Sequence, residues 1–310
     1  QRGIEDYDTA KSFFRPELSD LHDPFLMLGM RAAVDRIFKA IDRGEKIMVY
    51  GDYDVDGTTA VALVYSFLSK SNSHCIYYIP DRYEEGYGIS NKGIDHAKGE
   101  EVSLIIAMDC GIKAIDKVYY AQSLGIDFII CDHHLPGEAV PDAIAILDPK
   151  QSNCPYPFKD LCGCGIGFKL IHALTHQKGG VIENILPFVD LVAMAIAADI
   201  VPMVGENRIL THFGIQQIQQ NPRLGIRSFI KELKRKINVS DLVFVIAPRI
   251  NGAGRIKHGS HAVRLLLSED KGEALSRARA IELFNSERKE LDQKITAQAL
   301  DQIKQNQEEE

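Results

Sequence analysis

The sequence has no run of about 18 consecutive apolar residues, the length that a membrane-spanning helix requires. Its most apolar stretch, residues 186–204, is interrupted by two aspartates and two prolines. The first residues contain neither a methionine nor the apolar core of a signal peptide. We therefore predict a cytoplasmic protein with no membrane partner, and we expect the sequence to be a segment of a longer chain.

Cysteine pairs with metal-binding spacing are also absent, because no Cys-x-x-Cys occurs. Six cysteines are present, at positions 75, 110, 131, 154, 162 and 164. The first three fall in or beside apolar segments, where a free cysteine behaves as a small apolar residue. A metal cluster of the last three is a weak alternative to the reduced thiols that are usual in the cytoplasm.

The overall composition is that of a globular protein. The 310 residues are 45% hydrophobic and 25% charged, which permits a sizeable core and two domains. A net charge of −7 argues weakly against nucleic acid as a partner. However, residues 223–264 contain ten lysines or arginines and only two acids, Glu232 and Asp241. One face of the protein is therefore suited to a polyanion.

Short apolar segments alternate with helical segments in the first half of the chain. The predicted strands are 47–50, 75–79, 104–108, 127–131 and 143–147. The predicted helices are 9–43, 58–70, 90–98 and 113–123. Because strands that alternate with helices form βαβ units, we predict an α/β fold with a parallel sheet flanked by helices.

The second half of the chain has a helical pattern throughout. The predicted helices are 165–177, 181–199, 207–219, 223–236, 259–268 and a long amphipathic helix over 271–305. We therefore predict three parts: an α/β core over 1–163, a helical part over 164–268, and a linking helix over 269–310. The apolar face of this last helix, between Phe284 and Ala299, needs a partner.

Three aspartates follow the first predicted strand at alternate positions: Asp52, Asp54 and Asp56. Like charges this close repel one another, and a divalent cation would offset the repulsion. Ligands of open α/β sheets bind at the carboxyl ends of strands. The pattern therefore favours a metal site over the alternative, an acidic surface turn.

Acidic or imidazole side chains follow three further segments. Asp109 follows the third strand, Asp132, His133 and His134 follow the fourth, and Asp199 ends an apolar helix. Carboxylates with imidazole suit Mn²⁺ or Mg²⁺, and two such ions can clamp the oxygens of a phosphoryl displacement. On an extended segment the two histidines would point to opposite sides, so one would bind metal and the other would face the phosphate. For Asp199, a buried salt bridge is the alternative.

A basic, glycine-rich segment over 247–261 predicts phosphate binding in a loop. Its candidate residues are Arg249, Asn251, Arg255, Lys257 and His258. Arginine grips phosphate with two hydrogen bonds, and glycine permits a close backbone approach. A polar surface loop is the alternative.

Two weaker candidates for substrate contact lie elsewhere. Gly163 and Gly165 open a predicted helix whose N–H groups could face a phosphate, although helix packing explains them equally well. Arg82, Tyr83 and Tyr87 are candidates for stacking on a base.

The ordered motifs resemble those of the DHH phosphoesterase superfamily: Asp54-x-Asp56, then Asp109, then Asp132-His133-His134, then Asp199. Within that superfamily, segments 51–57, 109–111, 161–165 and 247–255 look like those of the RecJ-type single-strand-specific exonucleases. The resemblance covers roughly residues 3–268.

The resemblance implies metal-dependent 5′→3′ hydrolysis of single-stranded DNA in repair and recombination. The implied ligands of two Mn²⁺ or Mg²⁺ ions are Asp54, Asp56, Asp109, His133 and Asp199. The implied catalytic or supporting residues are Asp52, Asp132 and His134. It also suggests a single-strand-binding protein or a helicase as a partner.

The sequence departs from the family pattern in two respects. Where other branches often have histidine, this sequence has Tyr50. The family's second lobe, with its Gly-Gly-His-rich motif, and the accompanying oligonucleotide-binding barrel are not found in these 310 residues. The last predicted helix resembles the helix that joins the two lobes, so the missing lobe is an expected partner.

Three alternatives to this function stay open. Residues 54–58, Asp-Val-Asp-Gly-Thr, match the nucleophile motif of haloacid-dehalogenase phosphatases. A DHH phosphodiesterase acting on short oligonucleotides or cyclic dinucleotides would keep the same metal site. A non-catalytic replication scaffold would not need the motif acids, all of which are present here.

Overall fold

The computed structural model describes residues 6–231, 233 and 235–305. Within them, five parallel strands form one sheet in the order β2-β1-β3-β4-β5. The strands are β1 (Lys46–Gly51), β2 (Cys75–Tyr78), β3 (Val102–Met108), β4 (Asp127–Cys131) and β5 (Ala145–Leu147). The strand order therefore changes direction between β1 and β3. The predicted parallel α/β sheet is confirmed.

Five α-helices lie in the described part of the first half of the chain. They are α1 (Tyr7–Phe14), α2 (Met30–Asp42), α3 (Val55–Leu68), α4 (Asn91–Gly99) and α5 (Ile115–Ser123). The single helix predicted over 9–43 is wrong in its middle. Pro16 precedes one short 3₁₀ turn and Pro24 begins another, because proline disrupts a continuing helix.

The described part of the second half is helical. It contains α6 (Gly163–Gln177), α7 (Val189–Ala198), α8 (Gly205–Gln220), α9 (Leu224–Ile230), α10 (Val239–Asp241), α11 (Ala247–Ile256), α12 (Ser260–Leu266) and α13 (Lys271–Gln305). A π-helical turn, Leu242–Ile246, joins α10 to α11. The helix predicted over 181–199 instead starts as a 3₁₀ helix containing Pro187. The helix predicted over 223–236 ends at Ile230, and positions 232 and 234 lie outside the described residues.

The sheet is buried on both faces, as its apolar strands require. Val49 and Ile106 face a core shared with α2, α3, α6 and α7. Met48 and Ile105 face a smaller core under α4 and α5. Alternate residues of one strand thus enter different cores. This arrangement leaves the carboxyl ends of the strands as the exposed edge on which a site can form.

The long helix α13 confirms the helix predicted over 271–305. Its first part is packed, with Ala278 and Ile281 buried. Further along, Leu291, Ile295 and Leu300 are 49%, 54% and 52% exposed, so their apolar face is uncovered here. Among the described residues, neither α13 nor any other helix combines the length and apolar character needed to cross a membrane.

Candidate metal centre

The candidate site lies where the strand order changes direction. Residues 52–56 follow β1, Asp109 follows β3, and residues 132–134 follow β4. Asp199 caps the C-terminal end of α7 and completes the group. Because parallel strands end at the same edge, these segments converge. The crevice at such a switch point is the usual ligand site of an open α/β sheet.

His133 stands among three carboxylates. Its Nε2 lies 3.1 Å from Asp109 Oδ1, 3.7 Å from Asp199 Oδ2 and 3.8 Å from Asp56 Oδ2. Both ring nitrogens of His133 and Oδ1 of Asp109 are buried and lack a hydrogen bond among the described residues. Buried polar atoms without a partner are costly. These atoms therefore fit a bound cation.

Possible ligand atoms form two groups that share His133. One comprises Asp56, His133 and Asp199, the other Asp109, His133 and His134, and the atoms of each group lie within 4.8 Å of one another. Carboxylate oxygen with imidazole nitrogen is a donor set that suits Mn²⁺ or Mg²⁺. No cysteine belongs to either group; all six are free and buried. Among the described residues, neither candidate metal site therefore contains a thiolate.

Asp54 has a different position from the other expected ligands. It is the N-cap of α3, and its Oδ1 accepts a hydrogen bond from the N–H of Gly57 at 3.0 Å. Its carboxylate belongs to neither ligand group found among the described residues. Its charge nevertheless contributes to raising the pKa of Asp56, after burial and the charge of Asp199. Its role as a ligand stays a prediction.

Burial and mutual repulsion set the charge of the site. They raise the pKa of both Asp56 and Asp109. Burial, with the charge of Asp54, raises the pKa of Asp199 to about 6 and that of Asp52 to about 7. Burial lowers the pKa of His133 to about 4, which keeps its imidazole neutral and able to bind a cation. A divalent cation would relieve the repulsion among the carboxylates.

The N-terminus of α6 holds Asp56 in place. The N–H groups of Gly163 and Cys164 donate to the Asp56 carboxylate at 2.6 and 2.7 Å. The N–H of Gly165 donates to Cys162 Sγ at 3.4 Å. The sequence-based expectation that Gly163 and Gly165 offer N–H groups to a phosphate is therefore wrong, because these groups already have acceptors. The helix dipole favours a carboxylate at this end.

The Asp132 carboxylate orients His134. Asp132 Oδ1 lies 2.7 Å from His134 Nδ1, and Oδ2 accepts from the N–H of Ile112 at 2.9 Å. Although burial would raise the pKa of Asp132, these bonds hold it below the ordinary value, and the same contact raises the pKa of His134. The ring centres of His133 and His134 are 4.6 Å apart. The expectation of opposite orientations is wrong, because β4 ends at Cys131.

Backbone strain occurs at one expected ligand and directly after another. Asp109 has a φ of 61°, in the left-handed region, and its N–H donates to Cys131 O at 2.8 Å. Ile200, directly after Asp199, has a φ of 57°. Residues other than glycine rarely adopt this conformation, and such outliers concentrate at functional sites.

Comparison with known proteins identifies the family. The DHH family N-terminal domain matches residues 46–196. The single-stranded-DNA-specific exonuclease RecJ of Bacillus subtilis is 41% identical over 308 residues, covering 98% of this chain and 38% of that protein. RecJ of Escherichia coli is 38% identical over 286 residues, covering 88% of this chain and 50% of that protein. A crystal structure of exonuclease RecJ bound to manganese superposes with a TM-score of 0.84 at 30% identity, covering 92% of this chain and 72% of that chain.

The chain belongs to the RecJ branch of the DHH family. This membership sets aside the haloacid-dehalogenase alternative. The chain spans 38% and 50% of the lengths of the two RecJ proteins just named.

Tyr50, where the RecJ-type sequence departs from other branches, is buried in the smaller core under α4 and α5. Its hydroxyl donates to Gly88 O at 2.9 Å and accepts from the N–H of Ser90 at 3.1 Å. Its ring stacks on Tyr78 with centres 5.3 Å apart. Tyr50 therefore anchors the loop that carries Tyr87 and is not a metal ligand.

The basic segment of this RecJ-family chain is largely helical, which corrects the predicted loop. A Cβ at Gly254 would lie 2.5 Å from Tyr53 O, and one at Gly252 would lie 3.2 Å from Asn285 Cα. These glycines permit helix packing, against the aspartate motif and against α13 respectively. Arg249 bonds Glu282 of α13 through Nε at 2.5 Å, so this guanidinium already has an acidic partner.

Other members of the basic segment are less constrained. Arg255 and Lys257 are exposed, and Asn251 and His258 are half-buried. His258 Nδ1 lies 2.9 Å from Ser260 Oγ. Because Gly254 packs on Tyr53, these side chains are carried close to the aspartate motif. Their contact with phosphate stays a prediction.

Asp148 and Lys150, which follow β5, are site neighbours that the sequence analysis did not identify. Asp148 is buried, its Oδ1 accepts from the N–H of Lys150 at 2.8 Å, and burial raises its pKa to about 7. The charge of Lys150 adds to burial in lowering the pKa of His133. In the sequence, only their position directly after a predicted strand could have identified them, as it did Asp109 and Asp132.

Proposed function

We propose that this chain is the catalytic portion of a metal-dependent exonuclease that hydrolyses single-stranded DNA in the 5′→3′ direction. The carboxylates around His133 support this, since their unpartnered buried atoms fit a cation. The activity carried by the names of the RecJ relatives supports the substrate. Because this chain spans only part of those proteins, the activity of the whole protein is part of the proposal.

Two Mn²⁺ or Mg²⁺ ions would be held by Asp54, Asp56, Asp109, His133 and Asp199. The ligand groups around His133 support a metal site, the resemblance to the family supports two ions, and the manganese of the solved relative supports their type. Such ions, when bound, supply an activated water and neutralise phosphate charge.

The protein's own residues would position the phosphate and handle protons. Asp132 fixes His134 through Nδ1, which leaves Nε2 directed toward Tyr87 and the open side of the site. Because the bond to Asp132 raises the pKa of His134, its ring can hold a proton at Nε2 and offer it to a phosphate oxygen or to the leaving oxygen. Buried Asp52 would support the site beside Asp54.

An assay on end-labelled strands tests this function. A single strand labelled at its 5′ end should release a labelled mononucleotide at once with Mn²⁺ or Mg²⁺, whereas the 3′-labelled strand should shorten stepwise. A chelator should stop both reactions, and a duplex of the same sequence should resist. Release from the 3′ end first, or equal cutting of the duplex, would contradict the proposal.

The same assay separates the remaining alternatives. A phosphodiesterase for small substrates would cleave short oligonucleotides or cyclic dinucleotides faster than long strands. A replication scaffold would bind DNA without cutting it. The exposed Arg255 and Lys257 lie beside the aspartate motif. They favour a long strand as the substrate over a short oligonucleotide or a cyclic dinucleotide.

The proposal has three further parts. The division at 163 and 268 is supported by the position of the sheet within residues 46–147 and of the helices after it. A single-strand-binding protein or a helicase is the proposed protein partner, by analogy with the family. Action on DNA would place the protein in the cytoplasm.

A further inference from the structure

A cavity of about 350 Å³ opens beside the metal centre. It shares Asp132 and His134 with that centre. The rest of its wall comes from the loop around Tyr87 and from the segment that leads into α5, which includes Ile112 and Ala114. The sequence motifs give these wall residues no role. Because the cavity shares two residues with the proposed catalytic edge, a strand bound at that edge would lie beside its opening.

The lining of the cavity combines apolar walls with a cationic rim. Ile89 and Ile112 are 8% and 2% exposed and supply aliphatic surface, while the ring of Tyr87 supplies an aromatic wall. Lys113 is exposed at the rim, and Lys117 pairs with Asp116 at 3.0 Å. Aromatic and apolar surfaces suit the faces of a nucleobase, and cations attract the strand that carries it.

The walls are held in fixed positions. Tyr87 lies between Gly86 and Gly88, both with a φ of 82°, and its hydroxyl lies 3.3 Å from His134 Nε2. Gly111 has a φ of 114°, and a Cβ there would lie 3.0 Å from Ile89 Cδ1. The glycines therefore permit a loop geometry that sets the cavity directly against His134.

We propose that this cavity receives the base of the terminal nucleotide while its phosphodiester bond is cut. The inference rests on the proposed nuclease function and adds a recognition site to it. The cavity is near the lower limit of ligand pockets, ~300–1,000 Å³, which suits a single base.

The test compares two single strands that differ only at the 5′-terminal residue. One carries thymidine and the other an abasic tetrahydrofuran residue, with identical phosphates. Stacking of one base typically changes affinity by about tenfold or more, so the abasic end should show a KM about tenfold higher. Binding of both strands is also measured by fluorescence anisotropy in a chelator, where no cutting occurs, and should show the same preference.

Ala114→Phe should remove this preference by filling the cavity. Ala114 is half-buried and packs at the edge of the smaller core, so the fold of the variant is checked by circular dichroism before the assay. In this variant, cleavage of the thymidine strand should fall by a larger factor than cleavage of the abasic strand, so that the two KM values converge. Ala139→Phe, the same substitution at an exposed position outside the cavity wall, is the matched control and should behave as the unmodified protein.

Equal KM and equal binding for the two strands in the unmodified protein would overturn the inference, and this comparison needs no variant. A full preference retained in a folded Ala114→Phe would also overturn it. If neither strand is cut but the thymidine end still binds more tightly, the base site stands and the nuclease proposal fails.

Discussion

At the scale of single residues, the site is dominated by carboxylates that the fold brings close together, so that their negative charges repel one another. Asp56 and Asp109 are almost fully buried, and His133, their neighbour, is kept neutral by burial. Asp109 also adopts a strained backbone conformation. Such an arrangement is unfavourable for the metal-free protein and becomes favourable with a cation.

Asp109→Asn should abolish cleavage and preserve the fold. Asparagine has nearly the same volume and tolerates the left-handed φ of 61°. Loss of a ligand charge should lower activity by on the order of 100-fold or more. Thermal unfolding in a chelator should occur at a higher temperature, because like-charge repulsion falls.

The control for this variant is Asp35→Asn, which alters an exposed acid of α2 that belongs neither to the metal centre nor to the cavity wall. It should change neither activity nor metal affinity. Full activity with unchanged metal affinity in Asp109→Asn would contradict the assignment of this ligand.

The metal-free protein should lose stability as the pH rises. The folded-state pKa values of Asp199, about 6, and Asp52, about 7, are raised above the ordinary 3.8. The two carboxyl groups contribute fully to the stability of the fold at a pH below their ordinary pKa of 3.8. This contribution is lost as the pH rises through their folded-state pKa values of about 6 to 7. Thermal unfolding in a chelator should therefore show a higher midpoint near pH 5 than near pH 8.

Two comparisons sharpen this measurement. Asp52→Asn should reduce the pH dependence, because one of the titrating groups is removed. Mn²⁺ should raise the midpoint most at the higher pH, where the carboxylates are ionised. A higher midpoint near pH 8 in the chelator would refute this account of the site.

Arg255→Ala should weaken the binding of single strands to a similar extent for all base sequences, because its proposed partner is a phosphate. The slope of log affinity against log salt should fall by ~0.7, the value for one phosphate contact on a single strand. Arg279→Ala, which removes an exposed arginine from α13, is the control. A loss confined to some base sequences would indicate a base contact instead.

At the scale of elements, the N-terminus of α6 connects the helical part of the chain to the metal centre. Two of its N–H groups bind Asp56, and Gly163 packs against Asp109. One helix end thus positions two carboxylates from separate strand ends. Substitutions at Gly163 and Gly165 of this helix should therefore differ in their effect on metal binding.

Gly163→Ala should lower metal affinity, whereas Gly165→Ala should be nearly neutral. A Cβ at position 163 would lie 2.6 Å from Asp109 Cβ, so the ligand must move. A Cβ at position 165 would lie 3.3 Å from Leu161 Cδ2, the end of a flexible side chain. Isothermal titration with Mn²⁺ measures the difference. Equal Mn²⁺ affinities of the two variants would show that the contact between position 163 and Asp109 does not affect metal binding.

At the scale of the whole molecule, the described residues form a metal centre on one exposed edge and leave part of α13 uncovered. Leu291 and Ile295 are about half exposed. The phosphate contact proposed for Arg255 is made by an exposed side chain, and salt screens such contacts readily.

Cleavage by these 310 residues should therefore be distributive. Labelled single strand is bound first, and Mn²⁺ is then added together with excess unlabelled strand as a trap. The trap should suppress all but the first cuts. Long series of successive cuts in its presence would show that the chain already retains its substrate, and the proposed need for a further lobe would be wrong.

Much of the site was predictable because its signals are local. Alternate aspartates after an apolar strand, and Asp109 and Asp132 after two more, indicate ligands from the edge of a parallel sheet. Helix boundaries near Pro16 and Pro187 were missed where apolar spacing was given more weight than proline. Lys150 was missed because its only signal was its position after a short edge strand, and a lysine, unlike an aspartate, does not suggest a metal ligand.

The sequence by itself determined the alternation of strands and helices, the order of the acidic motifs and the long terminal helix. These depend on periodicity and on neighbours along the chain. Only the tertiary structure decided what the glycines do. Gly163 binds Asp56 across 107 positions and Gly254 packs on Tyr53, contacts that depend on how distant elements pack together. A glycine beside a phosphate and a glycine between packed helices have the same local sequence, so the predicted phosphate contacts could not be separated from packing before the fold was known.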